Sequence, residues 1–286
     1  MGKKINRTDR IAVITKMLVE NPNKIFTLNN FVDILSYAKS TLSEDIDVIE
    51  EVFDNFKLGE IKSIPGAAGG IYYNPRLSDE QIEDICDELC TLINDKKRII
   101  PGGYVYMNDI FYDPNILQKI AKSLAAPYLD MKIDFVVTIE TKGIPLAIMT
   151  ANILNIPMIV VRKSARLTEG TTIQMNYITG SSRRINTMAL AKRSVPKGAK
   201  VLFIDDFMKA GGTAKGITDL MKEFEAEVVG NAVVMSTKEP QEKLINDYYS
   251  LLEFDGIDEK EEKINIYRKD NKLIFNHKDN MDSDNN

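Results

Sequence analysis

The sequence predicts an α/β protein with a small domain of three helices and a hairpin, followed by a doubly wound, mainly parallel sheet. Three observations support this prediction. The length of 286 residues exceeds what one hydrophobic core usually fills. Through residue 76, helical spacing of apolar residues gives way to alternation of apolar and polar residues. After residue 129, short runs rich in Val and Ile alternate with helical segments.

The overall composition is that of an ordinary soluble protein. Hydrophobic residues make up 44% and charged residues 28% of the chain, and no stretch approaches the ~20 apolar residues of a membrane helix. The basic, polar N-terminus lacks the apolar core of a secretory signal, so we expect a cytoplasmic protein. The net charge of −5 gives no global attraction to nucleic acid, so any DNA contact must rest on a local surface.

The two cysteines, Cys86 and Cys90, fall on the apolar face of a predicted helix, and we interpret them as core residues. A structural zinc site would need further Cys or His ligands, and the single histidine, His277, lies near the C-terminal end. We therefore predict no metal site.

Residues 1–76 are predicted to form the first domain. Thr8 is the candidate N-cap of a first helix, and a second, short helix ends near Tyr37. Residues 41–44, Thr-Leu-Ser-Glu, match a capping box that would open a third helix. One apolar stripe follows along that helix: Leu42, Ile46, Ile49, Phe53 and Phe56. Beyond Gly59, residues 61–64 and 71–73 alternate as the strands of a hairpin.

Three helices closed by a hairpin is the element order of a winged helix-turn-helix, whose third helix enters the major groove of DNA. Candidate DNA contacts lie at the leading end of the third helix, in the hairpin and ahead of the first helix: Lys39, Ser40, Thr41, Ser43, Lys62, Arg7 and Arg10. The alternative is that this domain serves protein contact or dimer formation, because a fold alone does not determine function.

Residues 77–276 are predicted to form the second domain, and residues 277–286 a disordered polar tail. A helix from Ser78 and another over residues 114–129 precede the sheet. Parallel strands are predicted at residues 135–139, 158–161, 201–204 and 228–235, with crossover helices over 146–154 and 214–224. In such a sheet, ligands bind beyond the carboxyl ends of the strands.

The segment 201–213 combines a buried strand, two carboxylates and a glycine pair that opens a helix. Asp205 and Asp206 can accept hydrogen bonds from vicinal sugar hydroxyls. Backbone N–H groups at the helix start, approachable because of Gly211 and Gly212, suit a phosphate, and Thr213 adds a hydroxyl donor. No Lys-Ser or Lys-Thr follows the glycines, which excludes a Walker A loop. Without further context, the same residues also fit an ordinary tight turn between strand and helix.

This segment resembles the 5-phosphoribosyl 1-pyrophosphate (PRPP) motif of type I phosphoribosyltransferases. The resemblance implies that one run of residues binds PRPP: Asp205, Asp206, Phe207, Met208, Lys209, Ala210, Gly211, Gly212 and Thr213. It also implies a pyrophosphate loop at Thr141, Lys142 and Gly143, after the first strand. Arg162 and Lys163 end the next strand, where they would meet the diphosphate or be merely solvated.

The polar stretch 164–187 resembles the flexible loop that closes over substrate in this family. Arg183 and Arg184 within it are cations that would contact either the ligand or DNA, and the sequence does not decide between these roles.

Most of the chain is similar to the purine operon repressors of Gram-positive bacteria. The matching segments are residues 38–45, 64–70, 98–106, 141–145, 168–193 and 204–213. This resemblance implies a homodimer that binds operator DNA and represses purine biosynthesis and transport genes until PRPP binds.

The same resemblance implies that no catalytic residue and no required cofactor remain, with PRPP as effector, alone or with Mg²⁺. It further implies that guanosine tetraphosphate (ppGpp) competes for the pocket, with Tyr104, Phe207 and Lys209 beside the nucleotide. The alternative is an active purine or pyrimidine phosphoribosyltransferase with an accessory N-terminal domain.

Overall fold

The computed structural model describes residues 5–66, 69–178 and 185–270. The chain divides into two compact units, of which the first ends at Asp79 and the second holds most of the remaining chain. The predicted disordered tail, 277–286, and the pair Arg183 and Arg184 lie outside the described residues.

The first unit contains three helices and a hairpin, in the order predicted for a winged helix. The elements are α1 (Arg7–Val19), α2 (Leu28–Leu35), α3 (Lys39–Asn55), β1 (Glu60–Ile64) and β2 (Gly70–Asn74). β1 and β2 pair antiparallel, and Phe26 forms a bridge to Ile71 that adds a short third segment to the sheet. α2 and α3 are joined by a tight turn in which Ser36 is left-handed, with φ of 57°.

Apolar side chains from all five elements form one core in this unit, including Ile14, Phe31, Ile49 and Ile61. Phe53 of α3 packs edge-on against Tyr73 of β2, with ring centroids 5.5 Å apart. Because neither the helices nor the hairpin buries its apolar face alone, the helix spacing and the strand alternation specify the same core.

Two helix starts differ from the predictions. Asn6, not Thr8, caps α1, because Asn6 and Asp9 form a reciprocal capping box with N–H donors at 2.9 and 3.0 Å. α3 begins at Lys39 rather than after Thr41, because the turn from α2 is short and Ala38 takes the N-cap position. Phe56 was predicted in the apolar stripe but follows the end of α3, where it is 72% exposed.

Arg10, predicted to contact DNA, is instead buried in the core of the first unit. Its Nε lies 2.6 Å from Oδ2 of Asp45, and its guanidinium carbon lies 4.4 Å from the centre of the Tyr37 ring. The hydrogen bond to Asp45 raises the pKa of the Arg10 guanidinium. Arg7 donates to the other oxygen of Asp45 at 3.1 Å. The pair joins α1 to α3, so Arg10 has a structural role.

The second unit begins with α4 (Asp79–Ile93), the short hairpin β3 (Ile99–Ile100) and β4 (Tyr104–Val105), then α5 (Asn108–Tyr112) and α6 (Pro114–Ala125). Cys86 and Cys90 lie in α4, and burial raises the pKa of their thiols to about 12 and about 11. The remaining elements are β5 (Phe135–Ile139), α7 (Gly143–Leu154), β6 (Met158–Val161), β7 (Thr172–Ile178), β8 (Ile185–Ala191), β9 (Lys200–Met208), α8 (Gly212–Glu223), β10 (Glu227–Thr237), β11 (Tyr249–Asp258) and β12 (Lys263–Arg268).

The six-stranded sheet has the order β12-β11-β10-β9-β5-β6, with only β12 antiparallel. From β5 the chain moves outward to β6, then returns to the other side of β5 as β9 and continues to β10. The direction of winding therefore reverses between β5 and β9. The prediction of a doubly wound, mainly parallel sheet is confirmed.

The C-terminal part of the sheet was missed by the sequence reasoning. The last predicted strand ends at residue 235, yet β11 is a further parallel strand whose first four residues, Tyr249 to Leu252, are all buried. The charged residues around this short apolar run hid it. The predicted loop 164–187 also contains structure, because β7 and β8 pair antiparallel from Thr172–Ala191 to Ile178–Ile185.

Asp45→Ala is expected to destabilise the protein by about 3 kcal/mol or more, because it leaves the buried Arg10 guanidinium without its countercharge. The side chains of Arg10 and Asp45 are only 8% and 1% exposed. Urea unfolding, followed by circular dichroism, measures the change. The matched control is Glu20→Ala, which breaks the exposed Lys16–Glu20 pair and is expected to cost less than about 0.5 kcal/mol. Similar losses for both variants would contradict the structural role of Asp45.

Candidate ligand site at the switch point of the sheet

A cavity lies at the carboxyl ends of β5 and β9, where the winding direction reverses. Its volume is about 550 Å³. Such a crevice is the usual ligand position in an open α/β sheet, because the loops that follow the two strands diverge there. The lining residues are Ile139, Glu140, Thr141, Lys142, Lys163, Tyr177, Asn186, Thr187, Asp205, Asp206 and Thr213.

Asp205 and Asp206 occupy the last part of β9 and not a loop, because β9 continues to Met208. β5 pairs with β9 only as far as Phe203, so both carboxylates lie on an edge that β5 leaves open. Asp205 is 7% exposed and accepts the Asp206 backbone N–H at 2.9 Å. Burial, and then the negative charge of Asp206, raises the pKa of Asp205 well above its ordinary value. A ligand that donates hydroxyl hydrogen bonds would relieve this cost.

The loop after β9 forms the second part of the site. Gly211 is the N-cap of α8 with a left-handed φ of 77°, a conformation that favours glycine. A cavity of about 210 Å³ lies here, at the positive end of the α8 dipole. It is lined by Phe203, Asp205, Phe207, Met208, Lys209, Ala210, Gly211, Gly212, Thr213, Ala214 and Val233. Free backbone N–H groups at a helix start are a ready anion-binding site.

A brace behind this loop was not found by sequence reasoning. The Thr237 hydroxyl donates to the Lys209 carbonyl at 2.9 Å or the Glu239 carbonyl at 2.7 Å, and the Leu244 N–H donates to the Ala210 carbonyl at 2.9 Å. Lys243 donates to the Thr237 carbonyl at 2.7 Å. The bonds from Thr237 and Leu244 hold Lys209 and Ala210. No local motif signals these two bonds, because each joins segments about 30 residues apart.

The loop between β5 and α7 approaches Asp205 closely at Gly143. A Cβ at this position would lie 2.3 Å from Thr138 Oγ1 and 2.9 Å from Asp205 Oδ1. Glycine is therefore required for the approach of α7 to the carboxylate. The Thr138 hydroxyl is buried and has no hydrogen-bond partner among the described atoms. Thr141 and Lys142 are exposed to the large cavity.

Arg162 and Lys163 separate in the structure. Arg162 is held by two carboxylates, with Nε 3.0 Å from Glu169 and Nη1 3.2 Å from Glu140, and it does not line the cavity. Lys163 is exposed and lines it. The Lys163 backbone N–H donates to the Glu140 carboxylate at 2.7 Å. This hydrogen bond, and to a smaller extent the contact with Arg162, lowers the pKa of Glu140. Arg162 thus positions this loop, whereas Lys163 offers the free charge.

The remaining predicted residues are not among those that line the two cavities. Tyr104, in β4, is 69% exposed and lines neither of them. In the first unit, Lys39, Ser40 and Ser43 are exposed at the start of α3, and Thr41 is half-buried. Lys62 pairs with Glu60 at 3.0 Å.

Comparison with known proteins follows the two parts of the chain. Residues 6–75 match the model of the N-terminal domain of the bacterial purine repressor, and residues 107–266 match the phosphoribosyl transferase domain. Over 263 residues the chain is 42% identical to the purine biosynthesis transcriptional repressor PurR of Bacillus subtilis, with 92% of each chain covered. The chain belongs to the bacterial purine repressor family. The purine biosynthesis transcriptional activator PurR of Lactococcus lactis subsp. lactis is 40% identical over 254 residues, which cover 89% of this chain and 94% of that one.

Likeness to solved structures covers part of the chain. The adenine phosphoribosyltransferase of Thermoanaerobacter pseudethanolicus superposes with a TM-score of 0.52 at 20% identity, covering 59% of this chain and 99% of that one. This shows a shared fold. Since the relatives matched over nearly the whole chain are transcriptional regulators, the family member described here is a regulator with a phosphoribosyltransferase fold and not a transferase.

Two negative findings apply to residues 5–66, 69–178 and 185–270. No helix there has both the length and the apolar character needed to cross a bilayer. No cluster of three or more His, Cys, Asp or Glu side chains there is arranged to hold a metal ion.

Asp205→Asn is expected to stabilise the ligand-free protein by about 1 kcal/mol or more near neutral pH, a shift of a few degrees in Tm. The raised pKa of Asp205 means that the folded state binds a proton more tightly than the unfolded state. Wild-type stability therefore falls as pH rises from the ordinary pKa towards the raised one, and the variant lacks this loss. Thermal unfolding between pH 4 and pH 8 measures the difference. Asp247→Asn, at an exposed position, is the control. Equal Tm shifts for both variants would contradict the buried, costly state of Asp205.

Proposed function

We propose that the protein is a cytoplasmic repressor of purine biosynthesis and transport genes, that it binds operator DNA as a homodimer, and that PRPP relieves repression. The observation that carries this proposal is a pair of carboxylates between two helix N-termini, at Asp205 and Asp206, in a chain that also contains a helix-turn-helix. The carboxylates suit vicinal hydroxyls and the helix ends suit phosphates. A phosphorylated ribose presents both groups.

PRPP fits these groups in one orientation. The 5-phosphate would take the N–H groups at Gly211 to Thr213, and the ribose hydroxyls would donate to Asp205 and Asp206. The pyrophosphate would then face the loop of Thr141 to Gly143, where Lys142 and Lys163 supply positive charge. Mg²⁺, where bound, would arrive with the diphosphate and reduce its charge.

A competing role for ppGpp rests on the residues beside the smaller cavity. Phe207 is 38% exposed and lines this cavity together with Lys209, while its ring also contacts Phe254 with centroids 6.4 Å apart. A purine base can stack on such a ring while phosphates pair with the ammonium group. Both ppGpp and PRPP would require the loop after β9, residues 209–213, which we call the phosphate loop. Their binding is therefore proposed to be mutually exclusive.

The proposed DNA surface is the start of α3. Lys39, Ser40 and Ser43 are exposed there, and the first turn of α3 contains no acidic residue. The N–H groups and dipole of this helix end favour phosphate oxygens, so the turn suits the DNA backbone. Arg7 is exposed at the start of α1, while the burial of Arg10 removes it from the proposed contacts.

The family includes a protein named as a repressor and one named as an activator, so the sign of regulation is part of the proposal. We favour repression because the family model is that of purine repressors. Ligand and DNA are coupled by linkage: if PRPP weakens operator binding by some factor, operator weakens PRPP binding by the same factor.

The decisive experiment is operator binding by an Asp205→Ala, Asp206→Ala double variant. Wild-type protein is expected to release a purine-gene promoter fragment when PRPP and Mg²⁺ are added. The double variant is expected to bind the fragment normally and to ignore PRPP, because the ribose hydroxyls lose their acceptors. Fluorescence anisotropy of a labelled fragment measures both.

The matched control is Glu223→Ala with Glu227→Ala, which removes two exposed carboxylates at the opposite end of the sheet and should leave the PRPP response intact. Release of DNA from the Asp205, Asp206 double variant by PRPP would refute the pocket assignment. In a salt series, affinity for the fragment should fall steeply if phosphates are contacted. A flat salt response would remove the DNA-binding role and favour protein contact by the winged helix.

A further inference from the structure

Tyr177 brings the β7–β8 hairpin to the start of α8, beside Gly211 to Thr213. It lies in β7 directly opposite Asn186 of β8, and both side chains line the large cavity together with Thr213. The side chain of Tyr177 is half-buried. Asn186, Tyr177 and Thr213 therefore border one cavity, with Thr213 at the start of α8.

The ring of Tyr177 is fixed against α8 by a glycine. A Cβ on Gly216 would come within 3.1 Å of Tyr177 Cβ and Cγ and 3.0 Å of Met188 Cε. Glycine inside a helix usually costs about 0.5–1 kcal/mol relative to alanine. Its presence one turn after Thr213 allows the hairpin to lie directly on α8. The position of the Tyr177 hydroxyl is consequently set by packing and not by a flexible side chain.

The hydroxyl of Thr213 has a single proton, and this determines which hydrogen bonds it can make with Tyr177 and a ligand. Thr213 can donate that proton either to Tyr177 or to a bound phosphate, but not to both. When a phosphate is present, Thr213 donates to it, and its oxygen is left free to accept from Tyr177. Asn186 can in turn donate its amide N–H to the Tyr177 oxygen. Hydrogen bonds in such a chain polarise and strengthen one another.

We propose that Tyr177 is a positioning residue for the ligand phosphate, donating to Thr213 so that Thr213 donates to the phosphate. This inference rests on the proposed function, in which the loop after β9 holds the 5-phosphate. Burial raises the pKa of Tyr177, so the phenol keeps its proton and remains a donor. The hairpin thereby contributes to affinity through a residue that does not touch the phosphate itself.

The test is a double-mutant cycle in the full-length protein, with PRPP and Mg²⁺ as the probe and isothermal titration calorimetry as the readout. Tyr177→Phe keeps the ring on Gly216 and removes only the hydroxyl. Thr213→Val keeps the shape of the side chain and removes its donor. Thr213→Val is expected to weaken PRPP binding by roughly tenfold or more, as for one hydrogen bond to a charged group, and Tyr177→Phe by about fivefold, as for one hydrogen bond between neutral groups. In the Thr213→Val background, Tyr177→Phe is expected to have no further effect, because the residue through which Tyr177 acts can no longer donate to the phosphate.

Asn186→Ala tests the same chain of proposed hydrogen bonds, which runs from Asn186 through Tyr177 and Thr213 to the phosphate and is called the relay below. It should weaken PRPP binding by a smaller factor, and this loss should also vanish in the Thr213→Val background. Tyr248→Phe is the matched control, since its hydroxyl contacts Lys269 at 2.7 Å and lines neither cavity. It should leave PRPP affinity unchanged. Tm values measured alongside should differ little among the tyrosine variants.

The outcomes separate the inference from the function on which it rests. If wild-type protein binds PRPP but Tyr177→Phe binds it equally well, the positioning role is refuted and the proposed function stands. If the losses from Tyr177→Phe and Thr213→Val add fully, the two residues act independently and the relay is refuted. If wild-type protein does not bind PRPP, the proposed function fails and the relay fails with it.

Discussion

The unequal pairing of β9 with its two neighbours determines the site. β10 accompanies β9 from Lys200 to Met208, whereas β5 pairs with it only through Phe203. Past Phe203 the strand continues with one edge open, and Asp205 and Asp206 occupy that edge. On its other edge β9 is paired with β10. The Asp205 carboxylate is therefore buried, although the neighbouring Asp206 is also negatively charged. The open edge therefore holds acceptors that water satisfies poorly and that ligand hydroxyls can satisfy well.

Two helix starts flank these carboxylates and give the site its electrostatic pattern. α7 begins at Gly143, which approaches Asp205 more closely than any side chain would allow, and α8 begins just after Gly211. Each helix presents the positive end of its dipole, while the strand between them presents negative charge. The helix starts thus lie apart from the hydroxyl-accepting carboxylates. This separation, more than any single residue, is the basis for proposing a ribose that carries phosphate groups at both ends.

Local sequence patterns predicted the parts of the structure that are formed by residues adjacent in the sequence. The segment from Asp205 to Thr213 could be interpreted because strand, carboxylates, glycines and helix start follow one another directly. The sequence could not show that Arg10 is buried, because its partner Asp45 lies 35 residues away. The same limit applies to β11, which becomes a strand by pairing with β10. It also applies to Leu244, whose backbone N–H bonds the Ala210 carbonyl from a distant segment. Tyr177 falls within a stretch predicted to be a loop, and its packing on Gly216 joins residues too far apart in the sequence for a local pattern to show it.

The proposed regulation by PRPP requires differential affinity, since a ligand changes DNA binding only if the protein states that bind DNA well and poorly differ in their affinity for that ligand. The direct measurement is the PRPP dissociation constant of the full-length protein, with Mg²⁺, in the absence and in the presence of saturating operator DNA. Saturating operator is expected to weaken PRPP binding by the factor by which saturating PRPP weakens operator binding. An equal PRPP affinity in both conditions would contradict the coupling between the cavity and DNA.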